Sequence, residues 1–479
     1  MDPSSTRTVP TGLPRHRNVA QKPVAHWIVV LECDRLDAGG AYHALRGFDE
    51  LRVGRGMHRR FRTVEDAQRR VLYLELPDAR LSSAHARLIR QHDGWTLVDC
   101  ESTNGTFCNG VPVSRCEVHS GDRIQLGHTF CTFRESVEEG SALESYDATS
   151  SQRADLAGMD TFSPSNAARL LRLLRIAPSS IPILVRGESG TGKELLARAI
   201  HVLSMRPGPF VALNCGAIPS TLIEAQLFGH KKGSFSGAGR DEQGFVRAAN
   251  FGTLFLDEIG DLPSSSQAAL LRVLQQGEVV PIGASAPVPV DVRVVSATHQ
   301  PLETLIEQGT FREDLYARIA GFVHEAPPLR ERLEDMGLLV KALLKAENEE
   351  QHLRVRPNVG EAFLRYRWPL NIRELKQCLS SGRLLAENNL LRLSDLPPGV
   401  AAAMSASETA ASPSTRPNSL APAGDKLSEE DQQLRAELVR ALTDNQGNVS
   451  EVARQMGKAR QQIQRWMRRL QIERDEYDR

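Results

Sequence analysis

No short stretch of this chain leaves fewer folds open than Gly187-Glu188-Ser189-Gly190-Thr191-Gly192-Lys193, set between the apolar run Ile181–Val185 and the helical pattern Glu194–His201. Strand, glycine-rich turn and helix in that order make a phosphate cradle. The glycines let backbone N–H groups curl around phosphate oxygens, the helix N-terminus adds a favourable dipole, and Lys193 reaches the β- and γ-phosphates. Glu194 stands where Ser or Thr usually supplies a magnesium ligand, so more of the metal binding falls on other acids and water. Downstream, Gly252-Thr253-Leu254-Phe255-Leu256-Asp257-Glu258 is an apolar strand ending in two carboxylates. Asp257 is the candidate magnesium ligand and Glu258 the candidate group that polarises an attacking water, the two tasks phosphoryl transfer sets for acidic side chains.

The rest of the chain divides around this engine. Its 479 residues suffice for about three domains. Residues 1–24 are basic and Pro-containing, an expected disordered tail. Residues 135–158, acidic and Ser-rich, and 399–426, rich in Ala, Ser and Pro, have the composition of linkers. Between the linkers, 159–398 alternates apolar strands with helical patterns, predicting a parallel α/β core that gives way to helices from about Leu338. Residues 25–134 read as short strands separated by Asp93-Gly94, Asn104-Gly105, Asn109-Gly110 and Gly121-Asp122, the spacing of an all-β sandwich. Residues 427–479 are helical throughout. The fold class is thus multidomain: an all-β sandwich, an α/β ATPase-type core with a helical lid, and an all-α C-terminal block.

Lys plus Arg and Asp plus Glu both number 59, which excludes uniform electrostatic capture of nucleic acid and requires any basic site to be local. One such site exists. Between Gln446 and Leu470, six basic residues face a single acid, Glu451. Asn448 to Met456, the turn Gly457-Lys458-Ala459, and Arg460 to Leu470 have helix-turn-helix spacing, with Arg460, Gln461, Gln462, Gln464, Arg465, Arg468 and Arg469 as candidate DNA contacts. No apolar run approaches the roughly 20 residues of a membrane helix, and no secretory h-region opens the chain, so the cytoplasm is expected. Seven cysteines without a Cys-x-x-Cys pair read as reduced thiols.

Several separate blocks carry a family resemblance: Gly187 to Glu194, Phe210 to Cys215, Leu227-Phe228-Gly229-His230, Gly233 to Ala238, Thr253 to Leu262, Phe311 to Tyr316, Pro327 to Arg332 and Trp368 to Leu375. Together they resemble the AAA+ domain of bacterial sigma-54-dependent transcriptional activators, the enhancer-binding proteins. The resemblance implies ATP as substrate, Mg2+, a homo-hexamer, sigma-54 RNA polymerase as partner and ATP-driven opening of its closed promoter complex. It implies that Arg312, helped by Arg318, acts as an arginine finger in a neighbouring subunit. Arg373 matches the sensor II arginine, Thr298 falls at sensor I, and Asn214 matches the partner of Glu258 in a nucleotide-state switch. Gly233, Ser234, Phe235, Ser236, Gly237 and Ala238 match the sigma-54 contact loop, with Ser for the usual Thr at Ser236. Lys231, His299 and Leu370 also depart from the family pattern. By spacing alone, Arg312 and Arg318 fit an exposed helix face paired with Glu313 and Asp314 better than they fit a finger.

The C-terminal block resembles the Fis-type helix-turn-helix of the same family, through Gly447, Asn448, Ala453 and Gly457, which implies binding to upstream enhancer DNA. The first block resembles forkhead-associated (FHA) domains through Gly54-Arg55, Ser82-Ser83-Ala84-His85, Ser102 to Phe107 with Asn109-Gly110, and Gly121 to Gly127. That resemblance implies recognition of a phosphothreonine protein, from a Ser/Thr kinase pathway, by Arg55, Ser82, Ser83, Thr103 and Asn104, with His85 bracing the site. The arginine-rich stretch Gly56 to Arg70 either enlarges the anion site or forms a mobile loop. Two other functions remain open on the residues alone: an AAA+ remodeller of another target, and a DNA-binding scaffold without sigma-54 coupling.

Overall fold

The computed structural model describes residues 24–66, 69–92, 94–136, 145–149, 159–234, 238–346, 352–404, 437–443, 445, 448–458, 462–463 and 466–467. The expected tail lies outside them except for Val24, as does 405–426 of the second linker. The chain separates into two compact units, Met1–Ala410 and Ala411–Arg479.

The first unit begins with β1 (Val24–Glu32), β2 (Ala41–Ala44), β3 (Glu50–Arg55), β4 (Arg60–Asp66), β5 (Arg69–Leu76), β6 (Ala86–Gln91) and β7 (Gly94–Asp99). Then come β8 (Thr106–Cys108), β9 (Val111–Val113), β10 (Arg115–Val118), β11 (Arg123–Leu126), β12 (Thr129–Ser136) and β13 (Ser145–Asp147). One sheet runs β13-β2-β1-β12-β11-β8-β9 and the other β10-β7-β6-β3-β5-β4, as the turn spacing predicts for a sandwich. Trp27, Val29, Leu51, Leu72, Leu88, Leu97 and Phe133 fill the space between them.

The arginine-rich stretch is neither of the two things expected of it. Within it, β4 pairs antiparallel with β5 on the edge of the second sheet. Just before β4, Arg59 turns inward with its side chain fully buried. Its guanidinium donates to Glu32 at 2.7 Å, to Asp147 at 2.6 and 3.1 Å, and to the carbonyls of Ala38, Gly39 and Gly40. Asp147 belongs to β13, which lies within the stretch expected as a linker and pairs with β2, Tyr146 opposite Tyr42.

In β1 the alternate residues Ala25, Trp27 and Val29 point into the sandwich, while Ile28 and Val30 point out of it and are equally buried. A strand apolar on both faces needs a second covering layer, and the helical lid described below supplies it.

The α/β core contains α1 (Pro164–Ile176), β14 (Ile183–Arg186), α2 (Lys193–Leu203), β15 (Phe210–Asn214), α3 (Ser220–Phe228), α4 (Gly244–Ala248) and β16 (Thr253–Asp257). It continues with α5 (Ser264–Gln276), the short pair β17 (Glu278–Val279) and β18 (Val288–Pro289), β19 (Arg293–Thr298), α6 (Leu302–Glu307), α7 (Glu313–Ile319) and β20 (Phe322–Glu325). Its five-stranded sheet, β15-β16-β19-β14-β20, is parallel throughout. In such a sheet the ligand crevice lies beyond the carboxyl ends of the strands.

The lid follows as α8 (Met336–Ala346), α9 (Pro357–Arg365) and α10 (Asn371–Leu385). Ile28, Val30, Leu31, Tyr42 and Phe130 of the sandwich share one core with Met336, Val340, Val359, Phe363 and Trp368 of the lid. Polar contacts cross the same boundary. Val355 donates its N–H to the Cys33 carbonyl at 2.8 Å, Arg134 meets Glu334 at 2.9 Å, and Arg123 donates to the Leu364 carbonyl at 3.3 Å. The sandwich and the lid are therefore one packed body.

In the second unit, helix Val449–Gln455, helical residues 437–443 and the helical positions Ile463 and Met467 enclose a small core of Leu438, Leu442, Val449, Val452, Ile463 and Met467. Gly457, at φ +63°, ends the helix in the left-handed conformation that glycine adopts without cost. Among the described residues no helix is long and apolar enough to cross a membrane.

Candidate functional site

The nucleotide loop joins β14 to α2 as its sequence predicts. Gly187, Gly190 and Gly192 all have positive φ, and a Cβ on Gly190 would lie 2.2 Å from the Leu370 carbonyl, so this position is closed to any side chain. Lys193 is buried, and its ammonium donates to the carbonyls of Gly187 at 3.0 Å and Glu188 at 3.4 Å and lies 3.4 Å from Glu258 Oε1. Thr191 closes the turn with a 2.9 Å bond to the Glu188 carbonyl. Glu194 is exposed and pairs with Arg198 one helical turn on, at 2.7 Å.

The acids at the sheet end close the opposite wall. Asp257 ends β16, and burial with the neighbouring Glu258 charge pushes its carboxyl above the usual range. Glu258 sits past the strand end at φ +52°, a left-handed conformation that is uncommon for a residue with a side chain. Burial works to raise its carboxyl, but the His299 hydrogen bond and the Lys193 charge outweigh it and hold the group below its ordinary value. Two adjacent half-buried acids beside one lysine fit a divalent cation held through Asp257.

The structure does not bring Asn214 to Glu258. Parallel pairing sets Asn214 opposite Asp257, its amide donates to Asp257 Oδ2 at 3.4 Å, and its oxygen accepts from Ala217 N at 3.0 Å. Glu258 lies one residue beyond the ladder and turns toward β19, where His299 meets Oε2 at 2.7 Å. Thr298, fully buried, accepts from Gln300 N through its hydroxyl, and its carbonyl takes the N–H of Gly187. Arg312 stands at the start of α7, half exposed, with its guanidinium on Asp314 at 2.9 and 2.6 Å; Arg318 is exposed on the same helix.

The lid reaches the loop through residues that spacing alone did not single out. Asn371, fully buried, donates to Glu188 at 3.2 Å and to the Ser189 carbonyl at 2.9 Å. Ile372 N bonds the Gly190 carbonyl, Arg373 donates to Ser189 Oγ at 2.8 Å, and Arg332 donates to the Thr191 carbonyl at 3.0 Å. Arg330 grips Glu188 with both nitrogens, 2.8 and 2.7 Å, and this guanidinium holds the Glu188 carboxyl down at about 2. Leu370, one of the departures from the family pattern, has φ −102°, a conformation that accommodates a side chain without strain.

A second site lies on the sandwich. Arg55, Ser82, Ser83, Thr103 and Asn104 line one groove of about 380 Å³, together with Arg80. Thr103 N donates to Ser82 Oγ at 3.1 Å, and Asn104 donates to the Arg80 carbonyl at 2.7 Å. His85 accepts from Ser82 N through Nδ1 and donates to the Gly105 carbonyl through Nε2, so it is neutral and ties both loops together; burial lowers its basicity. Asp99, missed in the sequence, holds the Ser102–Thr106 turn through two hydroxyls, each at 2.6 Å. Gly54 has no space for a side chain, since a Cβ there would lie 2.0 Å from the Ser83 carbonyl.

Of the residues expected to contact sigma-54, Phe235, Ser236 and Gly237 lie outside the described residues. The stems of this stretch are tied by Lys231 to Asp241 at 2.7 Å and by Gly233 N to the Ala238 carbonyl. Of the candidate DNA contacts only Gln462, exposed, is described; Arg460, Gln461, Gln464, Arg465, Arg468 and Arg469 lie outside.

Comparison with known proteins matches three family models: the FHA domain over residues 51–127, the sigma-54 interaction domain over 161–324 and the AAA+ ATPase lid domain over 330–413. The DNA-binding transcriptional regulator NtrC of Escherichia coli K12 is 41% identical over 314 residues, covering 62% of this chain and 67% of NtrC. The chain belongs to the sigma-54-dependent transcriptional regulators. Within this regulator, residues 161–324 and the lid that follows match an AAA+ ATPase domain, preceded by an FHA sandwich. The acetoin catabolism regulatory protein of Cupriavidus necator is 45% identical over 315 residues, 64% of the regulator described here; the match spans less than half of the acetoin protein, 46%. Among solved structures, NtrX from Brucella abortus in complex with ATP is 29% identical, covers 66% of this chain and 71% of its own, and has a TM-score of 0.46.

Proposed function

We propose that this regulator hydrolyses ATP in the cytoplasm to convert the sigma-54 RNA polymerase closed complex into an open one, while bound to upstream DNA and under control of a phosphothreonine protein. The observation that carries the reading is a continuous path: the nucleotide loop is bonded on one side to the acidic strand ends and on the other to the lid, and the lid shares its core with the FHA sandwich. Occupancy of the Arg55 groove thus has a rigid route to the Arg373 side of the nucleotide site.

In this reading Lys193 and the loop N–H groups bind the phosphates, and Asp257 with water holds Mg2+, which supplies charge neutralisation for the transferring phosphoryl group. Glu258 accepts the proton of the attacking water. Arg312 leaves Asp314 to serve a neighbouring subunit of a hexamer, Arg318 assists it, and Arg373 and Thr298 report the phosphate state. Residues 233–238 contact sigma-54. The second unit holds the assembly on DNA through Arg460, Gln461, Gln462, Gln464, Arg465, Arg468 and Arg469. Arg55 and Ser82 bind the phosphate of a phosphothreonine, since a guanidinium and a hydroxyl on braced loops suit a dianion.

The test is open-complex formation on a sigma-54 promoter by the full chain and by Glu258→Gln, with hydrolysis followed in parallel and a phosphothreonine peptide present or absent. Opening by the unsubstituted protein alone supports the proposal. Hydrolysis without opening favours a remodeller of another target.

A further inference from the structure

We infer that His299 is the positioning residue for Glu258: it fixes the carboxylate so that Oε1 faces the phosphate side of the site. This rests on the reading of Glu258 as the proton acceptor and goes beyond it by naming what orients that group. Both donors of one residue converge on one oxygen. The His299 ring reaches Glu258 Oε2 from Nδ1 at 2.7 Å, and the His299 backbone N–H reaches the same atom at 3.2 Å. The other oxygen, Oε1, faces the Lys193 ammonium at 3.4 Å, on the side where the loop N–H groups converge. When Lys193 turns to a phosphate, Oε1 is the oxygen left to take a water while Oε2 stays anchored.

The carboxylate only accepts, so Nδ1 carries a proton and the imidazole donates through it. The turn carrying His299 is itself fixed to the turn carrying Glu258, because Gln300 donates to Asp261 at 2.7 Å and its N–H is held by Thr298 Oγ1 at 3.0 Å. Glu258 needs such an anchor. At φ +52° its backbone is strained, its side chain has left the sheet ladder, and Asn214 is committed to Asp257 and Ala217. A base oriented by a third group is a recurring solution in hydrolytic sites. The residue type also matters: an Asn Nδ2 sits the same number of bonds from Cα as His Nδ1, so both place an N–H at one point.

The experiment compares ATPase kinetics of the full chain with His299→Leu, His299→Asn and Glu258→Gln. Leu and Asn have the same number and branching of side-chain heavy atoms and differ at the donor. We expect His299→Leu to lower kcat about tenfold to a hundredfold with KM for ATP changed by less than about twofold, and His299→Asn to recover most of the loss. In the Glu258→Gln background, His299→Leu should add nothing further. A kcat unchanged or raised by His299→Leu, equal losses for Leu and Asn, or a loss expressed in KM would each overturn the inference. Full activity in Glu258→Gln would instead remove the underlying reading of Glu258, which keeps the two failures apart.

Discussion

Arg59 and Asp147, 88 residues apart, meet at 2.6 Å on the edge of the sandwich, and the same guanidinium holds Glu32 at 2.7 Å and three carbonyls beside it. Burial raises the Glu32 carboxyl, whereas at Asp147 the Arg59 hydrogen bonds overcome burial and lower it. Removing one member of a buried charge cluster strands the others, at a cost of about 3–5 kcal/mol. Arg59→Leu should therefore lower the Tm of the first unit markedly, and Arg59→Lys should recover only part, because an ammonium cannot reproduce the planar fork. An unchanged Tm for Arg59→Leu would show that the cluster adds no net stability.

A glycine tests the joint between sandwich and lid. Gly337 lies in the first turn of α8, with ordinary φ, where Ala normally stabilises a helix by about 1 kcal/mol. Here an added Cβ would lie 2.1 Å from the Val30 carbonyl of β1. Gly337→Ala is expected to destabilise, against its helix propensity, and to make the first unit more susceptible to proteolysis. Stabilisation by the substitution would mean the two faces separate without penalty.

How much of this was written in the sequence depends on range. The nucleotide loop, the acidic strand ends and the sandwich are visible because each is carried by neighbouring residues: glycine spacing, an apolar run ending in two carboxylates, turn dipeptides at regular intervals. The uninterrupted run Trp27 to Leu31 also held the signal for a second covering layer, since a strand with one wet face alternates. What stayed hidden depends on approach between distant segments. Asn371 to Glu188 spans 183 positions and Arg330 to Glu188 spans 142. No local pattern marks Arg59, one arginine among several in its stretch, as the one that turns inward. His299 stood out as a departure, but its role needed the left-handed turn at Glu258 to become visible.

The FHA groove separates recognition from hydrolysis. Arg55 lines it with Ser82 and Thr103 on the sandwich, whereas the nucleotide site contacts the lid. Arg55→Ala should weaken binding of a phosphothreonine peptide by at least about tenfold while basal ATPase activity is kept, as expected for loss of a charge-assisted contact to a dianion. Titration calorimetry with the phosphorylated and unphosphorylated peptide reads the effect directly. Equal affinity in Arg55→Ala would remove the groove as the phosphate site.

A pH effect should arise at Asp335, which is almost fully buried. Its carboxylate accepts from Phe162 N at 2.6 Å and from the Thr161 hydroxyl at 2.7 Å, fixing the chain just before α1. Burial pushes its carboxyl up to about 7, against the charge of Arg332 and with the help of Glu334. A carboxyl raised on folding keeps a proton in the folded state that the unfolded chain has already lost. Its contribution to stability is complete below the unfolded value near 3.8 and fades as pH rises through about 7. Asp335→Asn removes the titration yet keeps an oxygen for Phe162 N. The stability of the unsubstituted protein relative to Asp335→Asn should thus fall from pH 5 to pH 8, with a slope of at most about 1.4 kcal/mol per pH unit. Thermal unfolding of both proteins at matched pH values measures the difference, in which the other titrating groups largely cancel. Parallel curves for the two proteins would show that Asp335 is ionised throughout this range.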